Sequence, residues 1–364
     1  MAPEAWEEAG DAAVHLVRRE RARLEPLLWS ALEHDLLDPA GVVAALEAAA
    51  PGGSAVLPLT GHPVAAVRRA ALPAVAVSGH PQAAQRVTDL RDDPDEAVAA
   101  AAKATAGRVV RDPPPLVFTL LGMFAARRGA FAIPEDAWER RAAQRLVRFL
   151  LLHRDRPVPE DELFAAFWPD RSATAARRSL HVAASSARAA LDPEGAEESV
   201  LEAAQRAYRL RLRDRDVVDV DEFERVARSA LADGGNGRLE LLEAAAERWT
   251  GEPLPEDRYE DWAAAPRERL LDFHRRVLGA LAEARAAAGD PSGAIDAWRQ
   301  LADLDPLDEA AHRGLMVAYA RSGRRGHALR QYLSCRRFLV DELGVEPAAE
   351  TTALQRRILA GDTV

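Results

Sequence analysis

The chain has 364 residues, more than one hydrophobic core usually organises, so two or three domains are expected. Its formal net charge of −10 argues against indiscriminate nucleic-acid binding, although a local basic surface is compatible with that total because salt screens exposed charges beyond about 8 Å. The single cysteine, Cys335, excludes an internal disulfide framework and a cysteine-cluster metal site.

The first segment, residues 1–111, is predicted to form several helices, because Pro and Gly residues separate its helical stretches and no strand-like alternation of apolar and polar residues occurs. Its acidic start lacks the pattern of an export signal, and no long apolar run predicts a membrane span, so we expect a cytoplasmic protein without membrane association. Residues 62–71 recur weakly at 93–102, with Val67 matching Val98. The pair resembles HEAT-type repeats, and an ordinary alanine-rich helical bundle is an equally good interpretation.

A proline-rich boundary at residues 111–116 leads to a second predicted domain, residues 116–216. Residues 116–134 predict short antiparallel strands, and residues 199–213 predict a β-hairpin that turns near Ala204 to Arg206. Three helices are predicted between them, at residues 138–153, 159–168 and 173–192. This order constitutes a winged helix, whose third helix enters the major groove of DNA and whose wing reaches adjacent backbone.

The third predicted helix is the candidate DNA-reading element. Four apolar residues fall on one narrow arc and are predicted to be buried: Leu180, Ala184, Ala187 and Leu191. The adjoining arc carries the candidate groove contacts, Thr174, Arg177, Arg178, His181, Ser185 and Arg188. In the hairpin, the candidates for contact with phosphate or the minor groove are Arg206 and Arg209.

Charge placement supports this interpretation. Residues 171–191 contain four arginines and no acid, and residues 204–213 also contain four arginines and no acid. We therefore expect the cations of both elements to stand apart from carboxylates and to form one basic ridge. The alternative interpretation of the helix is a solvated polar face that happens to lack acids.

Residues 217–360 are predicted to be helical and tetratricopeptide-like. Residues 289–298 recur 34 residues later at 323–332, with Ala294 matching Ala328 where paired helices would cross. Such stacked helical hairpins build surfaces for partners rather than reaction centres. The predicted fold class is therefore mainly α with a small β component.

Neither a metal nor a cofactor is expected. The alternating acids of residues 214–224 lack the EF-hand pattern, because its sixth and twelfth positions hold Asp219 and Arg225 instead of Gly and Glu. The histidines show no HExxH spacing, and neither a nucleophile elbow nor a phosphate-binding loop occurs. We therefore expect no zinc or calcium site, no catalytic residue and no enzymatic activity.

Several motifs in one order carry a family resemblance, among them AFWPDRSATAARRSL at residues 166–180, RWTGEPLPEDRYEDW at 248–262 and DELGVEPAAETTALQRRIL at 341–359. With them the chain resembles the SARP-type antibiotic regulatory proteins of actinobacteria, an OmpR-like winged helix followed by a bacterial transcriptional activation domain. The resemblance implies an activator that binds double-stranded promoter DNA at direct repeats and contacts RNA polymerase. The sequence leaves open whether a homodimer forms on the DNA.

One departure from the family concerns the recognition helix. Where the family usually has Ser-Arg-Leu-Arg-Arg/Lys, this chain has Ser185, Ser186, Ala187, Arg188 and Ala189, so two cations are missing. Since phosphate neutralisation supplies most non-specific affinity, we expect weakened DNA binding. The alternative hypothesis is a protein-interaction scaffold, or a fragment of a larger signalling regulator, whose winged helix no longer binds DNA.

Overall fold

The computed structural model describes residues 38–49, 55–111, 113–192, 196, 198–232, 235 and 237–364. This part of the chain forms two compact units. Described residues up to Leu120 form the first unit together with Phe124–Val218, and Leu121–Met123 together with Asp219–Val364 form the second. The helical prediction for residues 1–37 lies outside the described residues. The predicted fold class, mainly α with a small β component, is confirmed.

The first unit begins with helices that share one core. They are α1 (Pro39–Ala49), α2 (Ala65–Ser78), α3 (Ala83–Asp89) and α4 (Glu96–Arg111), with a 3₁₀ turn at Leu57–Gly61. Val67 and Val98, the residues matched between the two weak repeats, are both fully buried in that core. Arg68 donates from Nε and Nη2 to the carboxylate of Asp93 at 2.8 and 2.7 Å and so ties α2 to the segment before α4. Assignment of these helices to HEAT-type repeats stays a prediction.

Two small sheets and three helices follow in the same unit, as the sequence predicts for a winged helix. One sheet has the order β3-β2-β1-β7 and consists of β1 (Leu116–Thr119), β2 (Ala125–Arg128), β3 (Phe131–Ala132) and β7 (Val217–Val218). The other has the order β4-β6-β5 and consists of β4 (Val158–Pro159), β5 (Leu201–Ala204) and β6 (Ala207–Leu210). The helices are α5 (Arg141–Leu152), α6 (Glu160–Phe167) and α7 (Ala173–Leu191).

The core of the winged helix fixes α7 against the other two helices. Leu146 and Leu150 on α5, Leu163 on α6 and Leu180 on α7 each have an exposure of 1% or less. Complete burial of such a side chain stabilises a fold by about 1.5–3 kcal/mol. The orientation of α7 about its own axis is therefore set by its apolar residues.

The N-terminal helices meet the winged helix at Gly79. Gly79 follows α2 with a φ of +79°, and a Cβ at this position would overlap the backbone carbonyl of Arg128. Arg128 itself is 4% exposed and donates to the carbonyl oxygens of Pro114, at 3.0 Å, and Leu191. Burial lowers the pKa of Arg128 to about 10, so its guanidinium stays charged near neutral pH.

The second unit is helical over most of its length. Its helices are α8 (Asp219–Ala232), α9 (Arg238–Glu247), α10 (Asp261–Ala287), α11 (Pro291–Leu304), α12 (Glu309–Arg321), α13 (Arg325–Leu343) and α14 (Ala349–Ala360). Ala294 and Ala328, matched in the sharper repeat, are both fully buried. In the ranges that the structure describes, no helix combines the length and apolar character needed to cross a bilayer.

Three residues that lie between β1 and β2 belong to this second unit. Leu121 donates its N–H to the carboxylate of Asp219 at 2.9 Å and forms a β-bridge with Pro253. Gly122 donates its N–H to the carbonyl of Glu252 at 2.9 Å. The side chain of Arg267, which is 7% exposed, holds the same loop through the carbonyls of Pro253 and Leu254, at 2.7 and 2.9 Å.

Candidate nucleic-acid interface

Helix α7 presents a buried apolar face and an exposed polar face. Ser172 caps its N-terminus, because the Ser172 hydroxyl accepts a hydrogen bond from the N–H of Ala175 at 3.3 Å. The four residues predicted for the buried arc are all 1% exposed or less: Leu180, Ala184, Ala187 and Leu191. The predicted amphipathic pattern of this helix is thus confirmed.

The exposed face of α7 carries four of the predicted site residues. Thr174, Arg178, His181 and Ser185 are all exposed and follow one another at intervals of three or four residues. No described residue forms an ion pair or hydrogen bond with the guanidinium of Arg178. This stripe has a length of about three helical turns and contains donors and acceptors but no carboxylate, which suits the base edges of a major groove.

The other two predicted residues of α7 are held by the protein itself. Arg177 is half-buried, donates from Nε to the carboxylate of Glu160 at 2.9 Å, and lies over the ring of Phe164 at 5.7 Å from its centroid. Arg188 is partly buried and donates from Nε to the carbonyl of Leu201 at 3.0 Å. Arg188 therefore ties α7 to the first strand of the wing, whereas the sequence places it among the groove contacts.

The wing is the hairpin of β5 and β6, as predicted. Its two turn residues, Gln205 and Arg206, have φ values of 51° and 62°. Positive φ at both positions is the type I′ pattern, whose twist matches that of the flanking strands. The turn projects the Arg206 side chain, which is 68% exposed.

The expectation that the wing arginines stand apart from acids is wrong, both for Arg206 in the turn, which pairs with Glu160, and for the strand that follows it. Arg209 lies directly opposite Glu202 in the hairpin and donates from Nε to its carboxylate at 2.6 Å. Arg211 donates to Glu198 at 2.9 Å and to Glu202 at 3.1 Å. The hydrogen bond from Arg209 holds the pKa of Glu202 below its usual range, so this carboxylate is ionised at neutral pH. The strands of the wing thus carry compensated charge.

A buried carboxylate, Glu160, joins the recognition helix to the wing. It begins α6 and is 6% exposed, and its Oε2 accepts from the Nε of Arg177 at 2.9 Å and of Arg206 at 3.3 Å. Its backbone N–H donates to the carbonyl of Arg206 at 2.9 Å. Burial alone would raise the pKa of Glu160, but the hydrogen bonds from the two arginines outweigh it and lower that pKa.

The arginine partners of Glu202 could be predicted from the sequence, whereas those of Glu160 could not. Glu202 is four residues before Arg206, and a hairpin turning at residues 205–206 necessarily pairs position 202 with position 209. The register therefore contained the signal that the sequence interpretation missed. Glu160 gave no such signal, because its partners lie 17 and 46 residues away in the chain.

Among the described residues, no group of three or more His, Cys, Asp or Glu side chains could hold a metal ion. The lone cysteine, Cys335, is buried in the second unit, and burial raises its thiol pKa to about 11. The alternating acids near Asp219 belong instead to the end of β7 and the first turn of α8, where carboxylates favour the positive end of the helix.

Comparisons with known proteins match a family domain within the second unit and relatives over about two thirds of the chain. The bacterial transcriptional activator domain matches residues 218–359. The transcriptional regulatory protein EmbR of Mycobacterium tuberculosis is 31% identical over 249 residues, 67% of this chain and 63% of EmbR. The regulatory protein AfsR of Streptomyces griseus is 31% identical over 258 residues, 68% of this chain and 25% of AfsR.

A solved structure of Mycobacterium tuberculosis EmbR, in complex with a low affinity phosphopeptide, is also similar. Its TM-score to this chain is 0.57 at 29% identity, and the alignment covers 68% of this chain and 66% of that one. The chain thus spans less than two thirds of the length of these curated relatives, 63% of EmbR and 25% of AfsR. EmbR is named as a transcriptional regulatory protein and AfsR as a regulatory protein.

Proposed function

Because the chain belongs to the SARP-type transcriptional regulators, we propose that it binds specific sequences in double-stranded promoter DNA and activates transcription. The winged helix would bind the DNA, and the activator domain at residues 218–359 would contact RNA polymerase. Binding at direct repeats, with two copies of the chain side by side, and a cytoplasmic location belong to the same proposal.

The observation that carries the proposal is the exposed stripe on α7. Its four residues are exposed, although the wing and the N-terminal helices belong to the same unit as α7: Thr174, Arg178, His181 and Ser185. The N-terminal helices approach the winged helix near Gly79 and the carbonyl end of α7 at Leu191, away from this stripe. The face that would enter a major groove is therefore open.

The residues of the interface have different roles in this proposal. Arg178 is the candidate for a bidentate contact with guanine, because its guanidinium is exposed and is not engaged by a carboxylate. Arg206, at the tip of the wing, is the candidate for a phosphate contact. Arg209 and Arg188 contribute less, since the first is paired with Glu202 and the second with the carbonyl of Leu201.

The test is DNA selection followed by affinity measurement on single variants. A duplex would be selected from a random library with the full chain, and binding would be followed by fluorescence anisotropy for the unchanged chain and Arg178→Ala. A lost arginine–guanine contact corresponds to about 1–3 kcal/mol, or about a 5- to 150-fold weaker affinity for the selected site. Random DNA should show a smaller loss.

The matched control is Arg337→Ala, because Arg337 is an exposed arginine on α13 in the second unit. It removes the same charge from the chain and should leave DNA affinity unchanged. Equal losses for the two variants would mean that net charge, and not the α7 face, determines binding. That result would refute the groove assignment.

A second candidate function is a protein-interaction scaffold whose winged helix does not bind DNA. The paired charges of the wing favour it, because Glu202 and Glu198 neutralise two of the cations that would otherwise attract phosphate. The selection experiment separates the two. A scaffold enriches no sequence and binds DNA no more strongly than its Arg178→Ala variant does.

A further inference from the structure

We infer that Glu160 is a positioning residue that holds Arg177 of the recognition helix and Arg206 of the wing in the orientation in which both bind DNA. The inference rests on the proposed function and adds a residue to it. Glu160 would itself not touch DNA, because its side chain is 7% exposed and its hydrogen-bonded oxygen faces the two arginines.

The geometry joins the two reading elements at one oxygen atom. Oε2 of Glu160 accepts from Arg177 at 2.9 Å and from Arg206 at 3.3 Å, and the Glu160 N–H fixes the backbone of Arg206 at 2.9 Å. A change in the position of the wing turn would therefore have to break a backbone hydrogen bond and a side-chain ion pair together. The spacing between helix and wing is set by this residue.

The contacts with Glu160 leave the terminal guanidinium nitrogens of both arginines available to bind DNA. Each arginine is held through Nε, and no described residue forms a hydrogen bond with the terminal nitrogens of either one. A guanidinium presents its donors in a fixed plane, so a carboxylate at Nε directs the terminal nitrogens to the opposite side. That side can bind phosphate or a base edge.

Burial makes this arrangement more than an ordinary surface ion pair. The aromatic ring of Phe164 lies under Arg177, and Tyr208 is buried, which together with the charge of Glu160 raises the pKa of Tyr208. Because the carboxylate is enclosed by these groups, the two arginines lose side-chain freedom on folding instead of on binding DNA. Such pre-organisation increases affinity without a new contact.

The carboxylate also has an opposing effect, since a negative charge near the interface repels phosphate. Two substitutions separate orientation from charge. Glu160→Gln keeps an oxygen that can accept from Nε and removes the charge, whereas Glu160→Ala removes both. The matched control is Glu162→Ala, which removes a carboxylate from the same helix that pairs with Arg156 instead.

The experiment measures the affinity of the full chain for the selected duplex and for a random duplex of the same length, over a series of salt concentrations. We expect Glu160→Ala to bind the selected duplex about tenfold more weakly, because two arginine side chains must then be ordered on binding. Glu160→Gln and Glu162→Ala should stay within about threefold of the unchanged chain. In an Arg177→Ala/Arg206→Ala background, Glu160→Ala should have no further effect on affinity. That double variant should itself reduce the steepness of log affinity against log salt concentration by about 1.8.

Each contrary outcome identifies what is wrong. Tighter binding by both Glu160 variants would show that the carboxylate only repels DNA, and a Glu160→Ala effect that persists without Arg177 and Arg206 would show a purely structural role. Both results overturn the inference while leaving the proposed function intact. An unchanged chain that selects no duplex refutes the proposed function and with it the role of Glu160.

A second measurement keeps the inference testable if Glu160→Ala does not fold. With arginine labelled by nitrogen-15, the Nε–H protons of Arg177 and Arg206 in the free chain should exchange slowly with water, because a buried carboxylate accepts them. Arg177→Lys and Arg206→Lys assign the two signals. Exchange as fast as that of the exposed Arg178 would overturn the inference.

Discussion

Replacing Gly79 by alanine is expected to weaken the packing of the N-terminal helices on the winged helix. Two costs add. Left-handed backbone costs a residue with a Cβ about 1–2 kcal/mol, and a methyl group forced into a packed contact costs about 1–3 kcal/mol. Gly79 incurs both, because its φ is +79° and its Cβ would overlap the carbonyl of Arg128. We expect the free energy of unfolding of the first unit to fall by about 2–5 kcal/mol.

Gly323→Ala is the matched control. Gly323 has a φ of +72°, but nothing lies within 4 Å of a Cβ built there, so it incurs only the backbone cost of about 1–2 kcal/mol. Because the chain has two units, a single melting temperature does not define one free energy. Hydrogen exchange followed peptide by peptide in low urea gives the opening free energy of each unit separately.

The comparison of the two variants decides the matter. A loss for Gly79→Ala in peptides from α2 and β2 that is no larger than the loss for Gly323→Ala in peptides from α12 and α13 would refute the reasoning. It would mean that the close approach of Gly79 to Arg128 does not exist in solution.

Three further predictions concern single residues. Gln205→Asn should stabilise the wing by up to about 1 kcal/mol, because asparagine tolerates the positive φ of a type I′ turn better than glutamine does. Hydrogen exchange of the β5–β6 peptide measures this stabilisation, and unchanged protection would contradict the prediction. Burial lowers the pKa of His274 to about 4, so below pH 6.5 the unfolded chain binds a proton that the folded chain does not. The free energy of unfolding of the second unit should therefore fall by about 3 kcal/mol between pH 6.5 and 4. His274→Phe, which can keep the ring stacked on Trp249, should abolish that loss in urea titrations at several pH values. Cys335 should react with iodoacetamide at pH 8 only after unfolding in urea, because its buried thiol has a pKa of about 11; rapid alkylation of the folded chain would show that the thiol is accessible.

The elements of the winged helix could be predicted because each has a local signature. The apolar residues of α7 recur with helical periodicity, and Leu180 and Leu191 are accordingly buried. The hairpin around residues 205 and 206 follows from two β-favouring runs on either side of a short turn. Periodicity and turn chemistry are properties of neighbouring residues, so one sequence is sufficient to detect them.

The electrostatics of the interface could not be predicted in the same way. Counting charges in residues 171–191 and 204–213 finds no acid, yet Arg177 and Arg206 both bind Glu160, which comes from the helix before α7. Arg188 has the periodicity of a groove contact, and its Nε instead bonds to the carbonyl of Leu201. Such contacts depend on how elements pack in three dimensions, and helical spacing on one element carries no information about them.

The assignment of Leu121–Met123 to the second unit has a consequence for how such regulators exchange parts. A recombination event that joins a foreign activator unit at residue 219 replaces Asp219 and the loop around Pro253 but keeps the host's residues 121–123. The new unit then receives its N–H donors at Leu121 and Gly122 from a different lineage. Any residue except proline supplies these donors, so a compatible swap depends on what packs at the junction, where the side chain of Leu121 is buried and Gly251 approaches Gly122 closely.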